Sequence, residues 1–136
     1  MRSEGAQPAL RTALAIVGTL TLVTGPYVFF LPTLFYDLTP GLSAMGPFNL
    51  HFIRDVGLAY FASGACLVIA AVTINRSLAI AGVLWPFLHA VFHVQIWIGR
   101  GSPADGVALF NFGAIVLPAV AGAALALALQ PVQNDR

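Results

Sequence analysis

The chain has 136 residues, of which 59% are hydrophobic and 8% are charged, and its mean hydropathy is +0.89. Soluble domains are roughly 25% charged, so this composition excludes a water-soluble globule. Six arginines, no lysine and five acidic residues give a formal net charge of +1, which excludes a basic nucleic-acid-binding surface. The length suits one domain. We therefore expect a single domain, residues 1–136, embedded in a lipid bilayer.

Charged residues divide the chain into four long uncharged runs, at residues 12–36, 56–75, 77–99 and 106–134. A bilayer core about 30 Å thick needs roughly 20 residues of helix, and each run is long enough. A backbone in lipid must satisfy its own hydrogen bonds, which favours helices over open strands. The sequence predicts an all-α, four-helix transmembrane bundle, with helices at about 12–35, 49–73, 77–98 and 107–129.

Local signals define the connections between these helices. The apolar core of the first run is too long for a cleaved signal peptide, so we expect a retained helix with a kink at Gly25 and Pro26. Residues 37–48 contain turn-forming and large apolar residues, which predicts a loop on the membrane surface. Asn49 is a candidate N-cap of the second helix, and Pro118 predicts a bend in the fourth.

The arginines predict the orientation in the membrane. With the N-terminus in the cytoplasm, four arginines lie inside (Arg2, Arg11, Arg76 and Arg136), whereas Arg54 and Arg100 lie outside. The positive-inside rule favours this arrangement. We therefore expect an antiparallel up-down bundle with both termini in the cytoplasm.

The fourth helix is rich in alanine, and Gly122 and Ala126 stand four residues apart in it. Small residues at this spacing let helices approach closely in lipid. This face either packs inside the bundle or forms an interface with a membrane-protein partner or a second copy of the chain.

All three histidines fall within the predicted helices. His51 and Asp55 stand four residues apart in the second helix, and His89 and His93 do so in the third. Residues four apart share a helix face. Counting about 1.5 Å per residue from the outer ends places Asp55 and His93 at about the same depth, with Asn111 of the fourth helix nearby. We expect one polar site in the outer half of the bundle.

Three imidazoles and a carboxylate are a ligand set for a transition metal such as Cu, Zn or Fe. The sequence therefore predicts a metal site at His51, Asp55, His89 and His93. Arg54 and Asn111 would support it, because a charged group in lipid needs a partner.

Other interpretations of the same residues stay open. A haem could be ligated by His51 together with His89 or His93, and the histidines could serve proton or quinone chemistry. Alternatively, Arg54, Asp55, His93 and Asn111 form a structural hydrogen-bond network, in a non-catalytic accessory or assembly subunit of a larger membrane complex. No hydrolase or nucleotide motif is present, and the sequence does not decide whether the protein is an enzyme.

The end of the first helix, FFLPTLFYDLTPG, and the start of the second, RDVGLAYFASG, resemble the DoxX-like group of small four-helix bacterial membrane proteins. Arg54, Gly57 and Gly64 carry the motifs, and the overall layout extends the likeness over most of the chain. The resemblance implies the four-helix fold and the bacterial inner membrane. The group includes subunits linked to quinone-coupled sulfur oxidation.

Overall fold

A computed structural model describes residues 6–130, and this part of the chain is helical and contains no strand. The elements are α1 (Ala6–Phe30), α2 (Pro32–Leu38), α3 (Leu42–Met45), α4 (Leu50–Thr73), α5 (Arg76–Gly99), α6 (Gly106–Asn111), a π-helical turn (Phe112–Val116) and α7 (Leu117–Ala128). Four helical stretches are long and apolar enough to cross a membrane: Gln7–Phe30, Leu50–Thr73, Arg76–Gly99 and Gly106–Ala128. The predicted all-α class is confirmed, as are four helices long and apolar enough to span a membrane. Arg2 and Arg136, used above for the orientation, lie outside the described residues.

The first span differs from the predicted helix at 12–35. α1 ends at Phe30, and a separate helix, α2, begins at Pro32. Proline has no backbone N–H and fits the first turn of a helix, so it starts α2 where the sequence predicted continuation. Within the predicted loop at 37–48 the structure forms the one-turn helix α3. Leu38, Met45 and Phe48 are exposed in this segment.

Polar side chains cap the helices at three of the connections. Asn49 accepts a hydrogen bond from the Phe52 N–H at 3.0 Å, which confirms it as the N-cap of α4. Asn75 does the same for α5, accepting from Leu78 at 3.0 Å. Asp105 caps α6 by accepting from the Ala108 N–H at 2.8 Å. Each cap pairs an N–H that the first helical turn leaves free.

α1 and α4 form the tightest helix pair, because glycines line their contact. A Cβ on Gly25 of α1 would stand 2.7 Å from the Phe61 nitrogen, and one on Gly57 of α4 would stand 2.9 Å from the Phe29 nitrogen. Gly18 lies against Leu67, further along α4. Later residues of α1 therefore contact earlier residues of α4, so the two helices are antiparallel. Small residues let the two backbones approach to contact distance.

The best-packed part of the bundle lies at the end that holds the start of α1 and the end of α4. Its buried core comprises Leu14, Leu67, Ala70, Ala71, Ala79, Val83, Ala126 and Leu129. At this end the Arg11 guanidinium donates hydrogen bonds to the carbonyl oxygens of Ala71 at 3.0 Å and Val72 at 3.3 Å. These carbonyls belong to the last turn of α4, which has no further helical N–H to pair with them. Arg11 therefore ties α1 to the end of α4.

Where the sequence predicted a bend in the fourth span, the structure has a π-helical turn at Phe112–Val116, two residues before Pro118. Three of the small residues after it face the bundle. Ala119, Gly122 and Ala126 are buried, and a Cβ on Gly122 would contact Val83 and Val17. This face therefore packs against α1 and α5. A partner at the fourth span stays a prediction, and the exposed side it would meet carries Leu117, Val120 and Leu127.

Candidate functional site

His51 and Asp55 form a pair on the outer surface of α4. His51 Nε2 lies 3.4 Å from Asp55 Oδ2, and their side chains are 90% and 57% exposed. The Asn49 cap fixes the first turn of α4 and therefore the direction of both side chains. The pair faces away from the bundle interior. The sequence analysis had predicted that it would lie inside the bundle.

His89 and His93 form a second pair on α5, within an aromatic group. Their ring centroids are 4.6 Å apart. Trp85 stacks on His89 with ring centroids at 4.9 Å and an interplanar angle of 10°, and Tyr60 of α4 meets Trp85 edge to face at 4.8 Å. We call Tyr60, Trp85, His89 and His93 the imidazole cluster. Because Tyr60 comes from α4, the cluster joins two spans.

One buried polar atom of the imidazole cluster lacks a partner. His93 Nδ1 is buried and makes no hydrogen bond. A buried ring nitrogen left alone is costly, and such atoms usually meet a protein group, an ordered water or an ion. His93 Nδ1 is therefore free to form a hydrogen bond or to bind a metal ion.

The four predicted metal ligands do not form one group. Across residues 6–130, no three His, Cys, Asp or Glu side chains lie close enough together to hold an ion. The reason is the direction around α4, since Ile53 is buried and His51, two residues earlier, lies about 160° away around the helix. Depth along the membrane was estimated from the sequence, but direction around the helix was not. The structure contains two separate pairs.

The predicted supporting residues are also separate. The Arg54 guanidinium carbon lies 5.4 Å from the centre of the Phe29 ring on α1, a cation–π contact. Asn111 is buried, 7% exposed, at the end of α6 where the π-helical turn begins. In the part of the chain that the structure describes, no hydrogen bond or ion pair connects Arg54, Asp55, His93 and Asn111. The structural network considered above is not formed there.

A cavity of about 280 Å³ lies between the four spans, and the sequence analysis did not predict it. Thr21 and Thr24 of α1, Tyr60 of α4, Pro86 of α5, and Ala114 and Pro118 of the fourth span are among its lining residues. Its volume is close to the lower end of the roughly 300–1,000 Å³ typical of small-molecule sites. Tyr60 belongs both to this lining and to the imidazole cluster.

Irregular helix geometry opens this cavity. Pro86 lies inside α5 and Pro118 at the start of α7, and neither has an N–H for the carbonyl one turn earlier. The π-helical turn supplies Ala114 and Ile115 to the wall. Such turns interrupt regular packing and are frequent at functional sites. The sequence contained two signals of this cavity: a proline within each of two predicted spans, and two threonines close together in the first span.

The loop between α5 and α6 is fixed by a separate polar group at the junction of the two helices. Arg100 pairs with Asp105, and the Trp97 indole N–H donates to the Pro103 carbonyl at 2.9 Å. The Ala108 N–H and the Arg100 guanidinium lower the pKa of the Asp105 carboxyl below its ordinary value. This loop holds the adjoining ends of the two spans in register.

Comparison of the chain with protein-family models, curated proteins and solved structures found no match. The resemblance to the DoxX-like group therefore stays a prediction from the sequence.

Proposed function

We propose that the chain is an integral membrane protein of the bacterial inner membrane that binds a small, largely apolar molecule in the cavity between its four spans. The observation that carries this proposal is the cavity of about 280 Å³, which every span helps to line. Ligand sites in membrane bundles combine apolar walls with a few polar groups, as Thr21, Thr24 and Tyr60 provide here.

The proposed topology is antiparallel up-down, with both termini in the cytoplasm. Its support is the order of the contacts between α1 and α4 and the position of Arg11, which bonds to the end of α4 close to Arg76. Two arginines therefore lie at the densely packed end of the bundle, as the positive-inside rule favours for the cytoplasmic side. The imidazole cluster lies around the middle of α4 and α5, and His93 is its member nearest to the opposite end.

A cavity-filling variant tests the binding proposal. Ala119 lines the cavity, so Ala119→Leu adds atoms to it, whereas Ala124 on the same helix is exposed and Ala124→Leu leaves the cavity unchanged. We expect a small molecule to co-purify with the wild type and with Ala124→Leu, detected by mass spectrometry of an organic extract. It should be lost from Ala119→Leu while circular dichroism shows the same helix content. Equal recovery from all three proteins would contradict the proposal.

A second candidate function is metal binding by His89 and His93 alone. Two imidazoles on one ion, with metal–nitrogen distances of about 2.0–2.1 Å, have ring centres roughly 4.5–5.2 Å apart. The observed 4.6 Å lies in this range, and His93 Nδ1 is buried without a partner. A third and fourth ligand would come from water.

Metal analysis of the purified protein tests this second candidate. We expect one transition-metal ion per chain in the wild type and in His51→Ala, because His51 lies outside the imidazole cluster. The ion should be lost from His89→Ala and from His93→Ala. Metal-free wild type after purification without chelators, with no uptake of added Zn²⁺ or Cu²⁺, would contradict it.

A further inference from the structure

The threonines of the cavity wall can only accept hydrogen bonds from a ligand. The Thr21 hydroxyl donates its proton to the Val17 carbonyl at 2.8 Å, and the Thr24 hydroxyl donates to the Leu20 carbonyl at 2.9 Å. A hydroxyl has one proton to donate and two lone pairs that accept. With both protons used within α1, each oxygen keeps only its accepting capacity. The α1 side of the cavity therefore favours a ligand group that donates a hydrogen bond.

Tyr60 of α4 can donate a hydrogen bond to a ligand, whereas the threonines of α1 can only accept one. Its ring is held by the edge contacts with Trp85 at 4.8 Å and with His89 at 6.1 Å. No side-chain hydrogen bond within residues 6–130 uses its hydroxyl. A phenol hydroxyl in largely apolar surroundings usually finds a partner, so the proton of the half-buried Tyr60 is available to an accepting oxygen. Tyr60 is therefore the donor in this lining.

The lining also determines the charge of the molecule. Among the residues that the structure describes, the wall contains no Asp, Glu, His, Lys or Arg. An ion in an apolar cavity without an opposite charge is strongly disfavoured. The occupant is therefore neutral.

We propose that the cavity selects a neutral, ring-sized molecule that carries a carbonyl-type oxygen and a hydroxyl group. The carbonyl oxygen accepts from Tyr60, and the hydroxyl donates to Thr21 or Thr24. This proposal rests on the proposed function, since it specifies the ligand of the same cavity. It makes Tyr60 and the two threonines the residues that determine specificity.

Three single-ring probes separate these contributions. Acetophenone carries an accepting carbonyl, α-methylstyrene replaces that oxygen with a CH₂ group of similar shape, and 4-hydroxyacetophenone adds a hydroxyl. Their affinities are measured by NMR titration against the full chain in nanodiscs, with empty nanodiscs subtracted. A net hydrogen bond corresponds to about a two- to tenfold change in affinity. We expect acetophenone to bind that much more tightly than α-methylstyrene, and 4-hydroxyacetophenone more tightly again.

The variants assign each preference to its residue. Tyr60→Phe should remove the preference for acetophenone and leave the affinity for α-methylstyrene unchanged. The double variant Thr21→Val, Thr24→Val should remove only the gain from the hydroxyl. Equal binding of all three probes, unaffected by these variants, would overturn the specificity proposal while leaving the binding function intact. No binding of any probe above empty nanodiscs would overturn both.

Discussion

Gly64 of α4 lies so close to Leu22 of α1 that a Cβ atom on Gly64 would overlap the Leu22 backbone. Backbone cannot move aside as a flexible side chain does, so the helices must separate if this position gains a methyl group. Gly64→Ala should therefore lower the free energy of unfolding by about 1–3 kcal/mol, as overpacking does elsewhere. Thermal unfolding in detergent, followed by circular dichroism, measures this.

Gly113 is the matched control for that substitution. It lies in the π-helical turn, and a Cβ there would meet open space. Gly113→Ala should unfold at the wild-type temperature or slightly above it. Equal destabilisation by both substitutions would show that the glycine contact between α1 and α4 does not limit stability.

A second prediction concerns Arg11, which donates to the Ala71 and Val72 carbonyls at the end of α4. Arg11→Gln removes the charged donor and should cost about 0.5–1.5 kcal/mol, since the contact is partly exposed. Arg76→Gln removes the same charge at the same end of the bundle, where the structure gives Arg76 no side-chain hydrogen bond in residues 6–130. The midpoint temperature should fall for Arg11→Gln alone. Equal falls would indicate that net charge, and not capping of α4, is responsible.

A third prediction concerns the pH dependence of the loop at Asp105. Its folded pKa lies below the ordinary value of 3.8, because the Ala108 N–H and Arg100 stabilise the carboxylate. The stabilisation is therefore complete above about pH 5 and is lost as the pH falls through the folded pKa. Asp105→Asn retains a capping oxygen without the charge. The gap in unfolding temperature between the wild type and Asp105→Asn should be constant from pH 7 to about pH 5 and should narrow as the pH falls below the ordinary carboxyl pKa. A gap that stays constant as far down in pH as the folded protein can be studied would contradict the role of the charge.

A fourth prediction tests the topology. Ser77 and Ser102 are exposed near opposite ends of α5, and Ser102 follows it in the loop. In a Cys66→Ser background, a membrane-impermeant thiol reagent applied to intact cells should label Ser102→Cys. Ser77→Cys should be labelled only after the membrane is broken. The reverse pattern would place both termini outside the cytoplasm.

Much of the fold was predictable because its causes are local or compositional. Uncharged runs set the four spans, and Asn49 was predicted as a cap because an amide oxygen before an apolar run can pair a free N–H. The glycine contact also left a signal, since Gly18 and Gly25, and Gly57 and Gly64, are each seven residues apart. That spacing places both members on one side of a helix.

The candidate site was less predictable because it depends on rotation and packing. Counting residues along α4 gave the depth of His51 but not its direction, and the structure turns it outward with 90% of its side chain exposed. The cavity depends on how Pro86, Pro118 and the π-helical turn come together. The cavity could not be predicted from any single segment, because it forms between elements that are distant in the sequence.

Native mass spectrometry of the intact chain, released gently from nanodiscs, tests the central claim most directly. The account predicts one discrete non-covalent adduct per chain on the wild type and on Ala124→Leu, and the bare mass for Ala119→Leu. An adduct pattern that is the same for all three proteins, or a wild type without any adduct, would contradict it.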